Sequence, residues 1–322
     1  MSEIRKKEII PKRNLPRYGK PTLWQDLKNN KGLAIMCIPT IIFLLVFCYV
    51  PMFGLYIAFV QYDPLKGIWG SKFIGLENFR FFFESGEWVK ITVNTLGLNI
   101  LFILTGLIAS VSIAIMLSEV SNKVFKKITQ SVVILPHFMS WTVVALFSVA
   151  LLSSDGMFNQ IIKFFGGEGI KFYNDPKVWP GLLTGLRIWQ GAGFGSIVYL
   201  AAITGIDQEM YEAAKMDGAT RWQCIIKITL PLLKNTIVML TIMSVGKIFY
   251  GDFGMIYAMV GNNTLLYPTT DVIDTYVYRS LMELGDMGMS SAVGFIQSIL
   301  GFIFVVGSNF LAKKVSPESA LF

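Results

Sequence analysis

Two cations in this chain stand where cations are costly. Arg187 lies in an apolar stretch over 179–204, and Lys247 in another over 235–251. An ionisable side chain inside a bilayer costs about 2.5–3.5 kcal/mol on insertion scales, so it marks a conduction path, a paired partner or a side chain reaching back to the interface. Reaching back is easy for Arg187, a few residues into its stretch. It is harder for Lys247, twelve residues past the start of its own. Pairing between helices, for instance with Asp252, is a further option. Two cations in a low-dielectric passage would attract a carboxylate or a sulfate. Phe194 and Tyr250 add aromatic faces in the same two stretches.

Other chemistry is absent from the sequence. No Gly-x4-Gly-Lys-Ser/Thr run exists to cradle phosphate, so the chain is not expected to hydrolyse ATP itself. His137 is the single histidine and follows Pro136; a satisfied buried histidine is a plainer reading than a catalytic one. Cys37, Cys48 and Cys224 are read as small apolar fillers, with neither a disulfide framework nor a metal site expected. No paired carboxylates or nucleophile fall at membrane depth, which argues against a membrane enzyme. Neither catalytic residues nor a cofactor bound by this chain are expected.

The elements that must position these groups are membrane helices. Of 322 residues, 53% are hydrophobic and 15% charged, against about 25% charged in a soluble domain. Spans of roughly 20 apolar residues are expected over 33–59, 91–118, 131–152, 179–204, 235–251 and 289–312, an all-α protein of six transmembrane helices. Pro136 and the Gly191-Ala192-Gly193 run fall inside the third and fourth; such breakers are tolerated where neighbouring helices re-satisfy the backbone. The first 32 residues are polar and basic and the first apolar stretch is too long for an h-region, so no cleavable signal peptide is expected.

Charge orients the spans. Eighteen Lys and Arg fall in the tails and the loops 119–130 and 205–234, against eight in the three opposite loops, where they are outnumbered by twelve Asp and Glu. The positive-inside rule makes both termini cytosolic. The net charge of +7 is thus attributed to topology and anionic membrane lipid, not to nucleic acid. The expected organisation is a cytosolic basic tail (1–32), a transmembrane domain (33–312) with a long cytosolic loop (205–234), and a cytosolic C-terminal tail (313–322). Outward stretches around Phe73–Phe83 and Met157–Phe165 could form short amphipathic helices that anchor at the interface or dock an external binding protein.

The long cytosolic loop carries a pattern of its own. Asp207 can cap a helix whose first turn holds Glu209 and Glu212, favourable against the dipole. Ala213 and Ala214 leave a slim face, and Gly218 can end the helix in a left-handed conformation. Pro231 is expected to open the next membrane helix. Tyr211, Met210 and Met216 give the helix apolar shoulders suited to a groove in another protein.

This segment resembles the EAA motif of ABC-importer permeases: Glu-Ala-Ala, three residues, Gly, then a spaced Ile-x-Leu-Pro. Glu212, Ala213, Ala214, Gly218, Ile228, Leu230 and Pro231 match each element. Gly75-Leu76-Glu77-Asn78-Phe79, Met216-Asp217-Gly218-Ala219 and the Ser319-Ala320-Leu321-Phe322 tail are similar to the carbohydrate-uptake branch. The resemblance implies a type I ABC-importer permease fold in the cell membrane. It also implies a coupling helix seated in a separate ATPase, formed by Tyr211, Glu212, Ala213, Ala214, Asp217 and Gly218. In such a system ATP and Mg belong to the two ATPase subunits, and the other partners are a second permease, in a heterodimer, and an extracytoplasmic solute-binding protein. Similarity to the maltose-permease-like members implies a sugar pathway at Arg187, Gln190, Gly191 and Phe194, with a second group at Ser244, Lys247, Ile248 and Gly251. Arg187 and Lys247 depart from the neutral groups of those members and point to an acidic, uronate-containing oligosaccharide. An amino-acid or peptide permease and an ion-coupled secondary transporter remain the alternatives.

Overall fold

The computed structural model describes Lys28 and residues 30–315. Most of the expected basic tail 1–32, and the Ser319–Phe322 ending, lie outside the described residues. Two compact units, 1–54 and 55–322, are considered separately.

In the first unit, α1 (Lys31–Leu44) contains Pro39 and passes into a π-turn at Leu45–Tyr49, then a tighter 3-10 segment from Val50. Its large apolar residues, among them Ile42, Phe43 and Phe47, are exposed all round. That surface suits lipid, not water.

The second unit begins with a short antiparallel ribbon, β1 (Val60–Gln61) and β2 (Lys72–Phe73), in which Val60 pairs with Phe73. Helices follow: α2 (Glu77–Glu84), α3 (Glu87–Glu119), α4 (Lys123–Ile134), α5 (Trp141–Leu152), α6 (Met157–Phe164), α7 (Trp179–Thr204), α8 (Gln208–Met216), α9 (Leu230–Val245), α10 (Phe253–Val260), α11 (Ile273–Met282) and α12 (Met287–Val315). The long helices α3 and α7 form the spine. Their inner faces meet α9 through Val111, Ala114, Tyr199, Leu200 and Leu233. Further along, Leu98, Val144, Trp179, Leu183, Met255 and Ile256 close a core between α3, α5, α7 and α10. A third cluster joins Phe82, Ile91, Phe249, Ile273 and Met289.

Among the described residues, five stretches are long and apolar enough to cross a membrane: Lys31–Phe59, Glu87–Glu119, Trp141–Phe164, Arg221–Val245 and Met287–Leu311. The expected fourth span coincides with α7, yet α7 is not among the five. Its length of 26 residues suffices, but Arg187, Gln190 and its glycines lower its apolarity.

Three expectations need correction. The span placed at 131–152 is two helices. Pro136 lacks an N–H and clashes with a helical carbonyl, so α4 ends at Ile134, a 3-10 turn covers Leu135–Phe138, and Ser140 caps a new helix by accepting the Val143 N–H. The span placed at 235–251 stops at Val245, and the backbone from Gly246 to Asp252 is not helical. Finally, Pro231 stands at the second position of α9 as expected, but the helical backbone does not start there. The helix begins at Arg221 behind a Thr220–Gln223 capping box and reaches Pro231 through a π-turn at Ile225–Thr229. The widened turn contains Lys227, four residues before Pro231, where an α-helical carbonyl would collide with the ring. Pro51 follows the Leu45–Tyr49 π-turn in the same register.

The loop helix expected around Phe73–Phe83 forms as α2, but it is folded onto the helix bundle. Phe82 is buried, Phe79 meets Phe295 of α12 edge-on at 6.0 Å, and Asn78 Nδ2 donates to the Ala58 and Val60 carbonyls at 3.0 and 3.1 Å. The stretch from Met157 forms α6. Its buried Asn159 ties the returning loop through Ile170 at 2.7 and 2.9 Å, leaving Phe164 and Phe165 exposed.

Candidate functional site

Two constructions stand out. The first is α8. Asp207 caps it, its carboxylate accepting the Glu209 N–H at 3.0 Å. At the other end Gly218 takes φ +80°, a conformation a side chain disfavours. The Ala219 N–H reaches back to the Ala214 carbonyl (2.9 Å) and the Gly218 N–H to the Lys215 carbonyl (3.0 Å), the paired bonds of a Schellman stop. Tyr211 hydroxyl and Thr229 hydroxyl lie 2.9 Å apart, tying α8 to the π-turn that leads into α9. Glu212, Ala213 and Met216 are exposed, and so is Trp222. Beside them opens a cleft of about 280 Å³ lined by Ala214, Asp217, Gly218, Gln223 and Lys227. The result is a helix braced from behind with its short side chains outward, a shape made to be gripped.

The second is the break between α9 and α10. Beyond Val245 the backbone is no longer helical, so its carbonyls and N–H groups lose intrahelical partners, and in an apolar setting each needs another. Three helices supply them. Asn99 Nδ2 of α3 donates to the Ile248 carbonyl (2.9 Å) and the Tyr250 carbonyl (3.1 Å). Gln297 Nε2 of α12 donates to the Phe249 carbonyl at 2.7 Å. Asp274 Oδ2 of α11 accepts the Gly251 N–H and a bond from Gln297. Burial pushes the Asp274 carboxyl above the usual carboxylate range, a rise opposed by those two donors. Gly251 fits because a Cβ there would strike Val272. The break is a built feature, held in one conformation.

Around it lie the two cations. Arg187 Nη1 is 2.6 Å from Asp252 Oδ2, an interhelical ion pair joining α7 to the start of α10. Lys247 is exposed on the break and, among the described residues, makes no ion pair. Phe194 is 47% exposed and stacks flat on His137, ring centroids 4.1 Å apart.

The sequence compares closely with known proteins. Residues 103–317 match the family described as binding-protein-dependent transport system inner membrane component. The chain belongs to that family. As such it is a multi-pass membrane permease, a transport subunit and not an enzyme, and ATP hydrolysis lies on a separate chain. The permease is 37% identical over 316 residues to protein LplB of Bacillus subtilis (97% of this chain, 99% of the relative). It is 39% identical over 293 residues to the polygalacturonan/rhamnogalacturonan transport system permease protein YteP of the same organism (91% of each). Among solved structures, it superposes with a TM-score of 0.83 and 36% identity on a chain of a bacterial ABC transporter that imports the acidic polysaccharide alginate, covering 91% of the permease and 99% of that chain. A second structure of a bacterial alginate transporter, in complex with its alginate pentasaccharide-bound periplasmic protein, matches with a TM-score of 0.83 and 35% identity, covering 91% and 98%.

The permease treats the pathway residues expected from its sequence unevenly. Arg187, Phe194, Ser244 and Lys247 present polar or aromatic surface, and at Gly191 a Cβ would meet open space. Gln190 is buried, its amide donating to the Met139 carbonyl at 3.3 Å. Ile248 packs its side chain into the core, and Gly251 is pressed against Val272. Three residues escaped the sequence reading: Asn99, Asp274 and Gln297. Asn99 and Gln297 are polar residues within apolar helices, a signal that was available. Asp274 offered none, being one acid among several in its loop.

Proposed function

We propose that this permease forms one membrane half of an ABC importer and passes an oligosaccharide bearing carboxylates. The observation that carries the reading is Lys247, a cation without an ionic partner among the described residues, on a backbone break where the helix has been opened and its polar groups tied back. A fixed kink with a free positive charge is a place for an anionic solute to lie. The relatives agree in kind: one is a polygalacturonan/rhamnogalacturonan permease and a structural neighbour imports alginate, both uronate polymers.

The remaining organisation follows. Six spans, with α7 as the fourth despite its polar content, leave both tails and α8 on the cytosolic side. There α8 acts as the coupling helix, with Tyr211, Glu212, Ala213, Ala214, Asp217 and Gly218 meeting a cleft of the ATPase. The full machine contains a second, different permease, two ATPase subunits that hold ATP and Mg, and an external binding protein that delivers the sugar; this chain binds no cofactor. The pathway runs past Arg187, Gln190, Gly191, Phe194, Ser244, Lys247, Ile248 and Gly251, the buried members shaping it from behind. Each ligand shifts the inward–outward equilibrium only by its differential affinity for the two states.

Reconstitution of the complete complex in vesicles tests this. ATP-dependent uptake of a uronate oligosaccharide is expected, and Arg187→Ala with Lys247→Ala should lower kcat/KM at least tenfold, since a bond to a charged group contributes about 1.5–3 kcal/mol. Undiminished uptake by the double variant would sink the acidic-solute reading. Normal transport with Glu212→Arg, in a complex that assembles, would sink the coupling role of α8.

A further inference from the structure

Arg187 and Asp252 meet across the helix break, and the two side chains are held very differently. Asp252 is fixed twice: Oδ1 accepts the Met255 N–H at 3.2 Å, capping α10, while Oδ2 receives Arg187 at 2.6 Å. Behind it α10 is anchored by buried Met255 and Ile256, and by Phe253, stacked on Tyr257 at 5.1 Å and tilted against Tyr278 at 4.9 Å. Arg187 is the looser partner. Only one of its five N–H groups is engaged among the described residues, and its side chain is 42% exposed against 23% for Asp252.

Resting on the acidic-solute reading above, we propose that Asp252 is a tethered stand-in for the substrate's carboxylate. It neutralises Arg187 while the pathway is empty and yields the guanidinium to an arriving uronate. An anionic sugar replaces one carboxylate with another, so Arg187 is never left bare. A neutral sugar of the same shape has nothing to exchange, so it passes beside the intact pair and gains nothing from Arg187. Discrimination therefore comes from Arg187, at a strength that Asp252 moderates. The same competition keeps the correct solute from binding too tightly to leave. Asp252 can release Arg187 without losing its place, because the helix cap engages its other oxygen.

Transport by the reconstituted complex decides the matter, with a uronate pentasaccharide and its carboxyl-reduced, neutral counterpart as probes. Asp252→Asn keeps a side-chain oxygen for the Met255 N–H but removes the competing charge. The ratio of the neutral KM to the acidic KM is expected to widen about fivefold, the upper end of what a part-exposed ion pair contributes. The gain should come through a lower acidic KM, without a rise in kcat, and should shrink at high salt. Asp252→Glu, which restores the competitor, should return the ratio toward the wild-type value. An unchanged ratio in Asp252→Asn overturns the proposal and leaves Asp252 a strut. So does failure of both Asp252→Asn and Asp252→Ser to assemble where Asp252→Glu assembles. If the wild-type complex takes both probes equally well, the acidic-solute reading itself is wrong and this inference falls with it. Acid-selective wild-type transport with an unmoved Asp252→Asn ratio sinks this inference alone.

Discussion

The Gln297 side-chain nitrogen donates to the Phe249 carbonyl at 2.7 Å and to Asp274 Oδ2 at 3.1 Å. One residue of α12 thus holds the broken backbone and also the carboxylate that holds it. Gln297→Leu keeps the approximate volume and removes both donors. A buried acceptor left without a partner costs about 1–3 kcal/mol, so the thermal midpoint of the purified protein in detergent should drop by several degrees. An unchanged midpoint would mean that Asn99 alone suffices to fix the break.

Asp274 has a distinct pH signature. Burial raises its carboxyl above 3.8, so the folded protein binds its proton more readily than the unfolded chain does. Stability from this group is therefore fully present below the ordinary carboxylate value, and is lost as pH rises through the raised one. Asp274→Asn stays neutral at every pH and can still accept the Gly251 N–H. Comparing thermal midpoints across mildly acidic to neutral pH should show wild type losing ground relative to Asp274→Asn as pH rises. Parallel curves would show that the charged form is fully compensated by Gly251 and Gln297.

Gly218 tests the stop of α8. A Cβ there would meet nothing within 4 Å, so any cost is conformational: at φ +80° it amounts to about 1–2 kcal/mol for most residues and less for Asn. Gly218→Ala should loosen the Schellman bonds and slow ATP-driven transport severalfold, with Gly218→Asn intermediate. Equal rates for the Ala and Asn variants would exclude backbone conformation as the cause.

Arg279 and Asp271 form a two-pronged pair at 2.8 and 2.6 Å, with Asp271 3% exposed, and the Arg279 guanidinium lies 4.3 Å from the Tyr267 ring centre. Removing one member of such a buried pair costs roughly 3–5 kcal/mol. Arg279→Met should therefore abolish a folded complex at ordinary temperature, and adding Asp271→Asn should recover part of the loss. A single variant as stable as wild type would refute the pair's structural role.

At Gly193 the Val133 backbone lies so close that any Cβ would overlap its carbonyl. Gly193→Ala should force α4 and α7 apart and cost about 1–3 kcal/mol by overpacking, read as a lower midpoint. Gly191→Ala, two residues away and facing open space, should leave the midpoint in place.

Much of this was written in local chemistry. Asp207, Ala213, Ala214 and Gly218 act on their own helix within a few residues, so cap, slim face and stop were legible before any packing was known. Apolar runs likewise announced membrane helices, because the bilayer selects for composition before it selects for neighbours. Hydropathy could not show that a proline and its flanks divide 131–152, nor that 246–252 leaves the helix. A window average counts apolar atoms and is blind to backbone hydrogen bonds. Which residues would receive the freed carbonyls depended on Asn99 and Gln297, each about 50 to 150 positions away along the chain. Which cation would be quenched was also a tertiary matter. Arg187 and Asp252 are 65 positions apart, and only the approach of α10 to α7 brought one carboxylate to one guanidinium while Lys247 was left open to solvent. Charge and apolarity are properties of a residue and can be read one letter at a time, whereas a pairing is a property of distance and exists only once the helices have been put together.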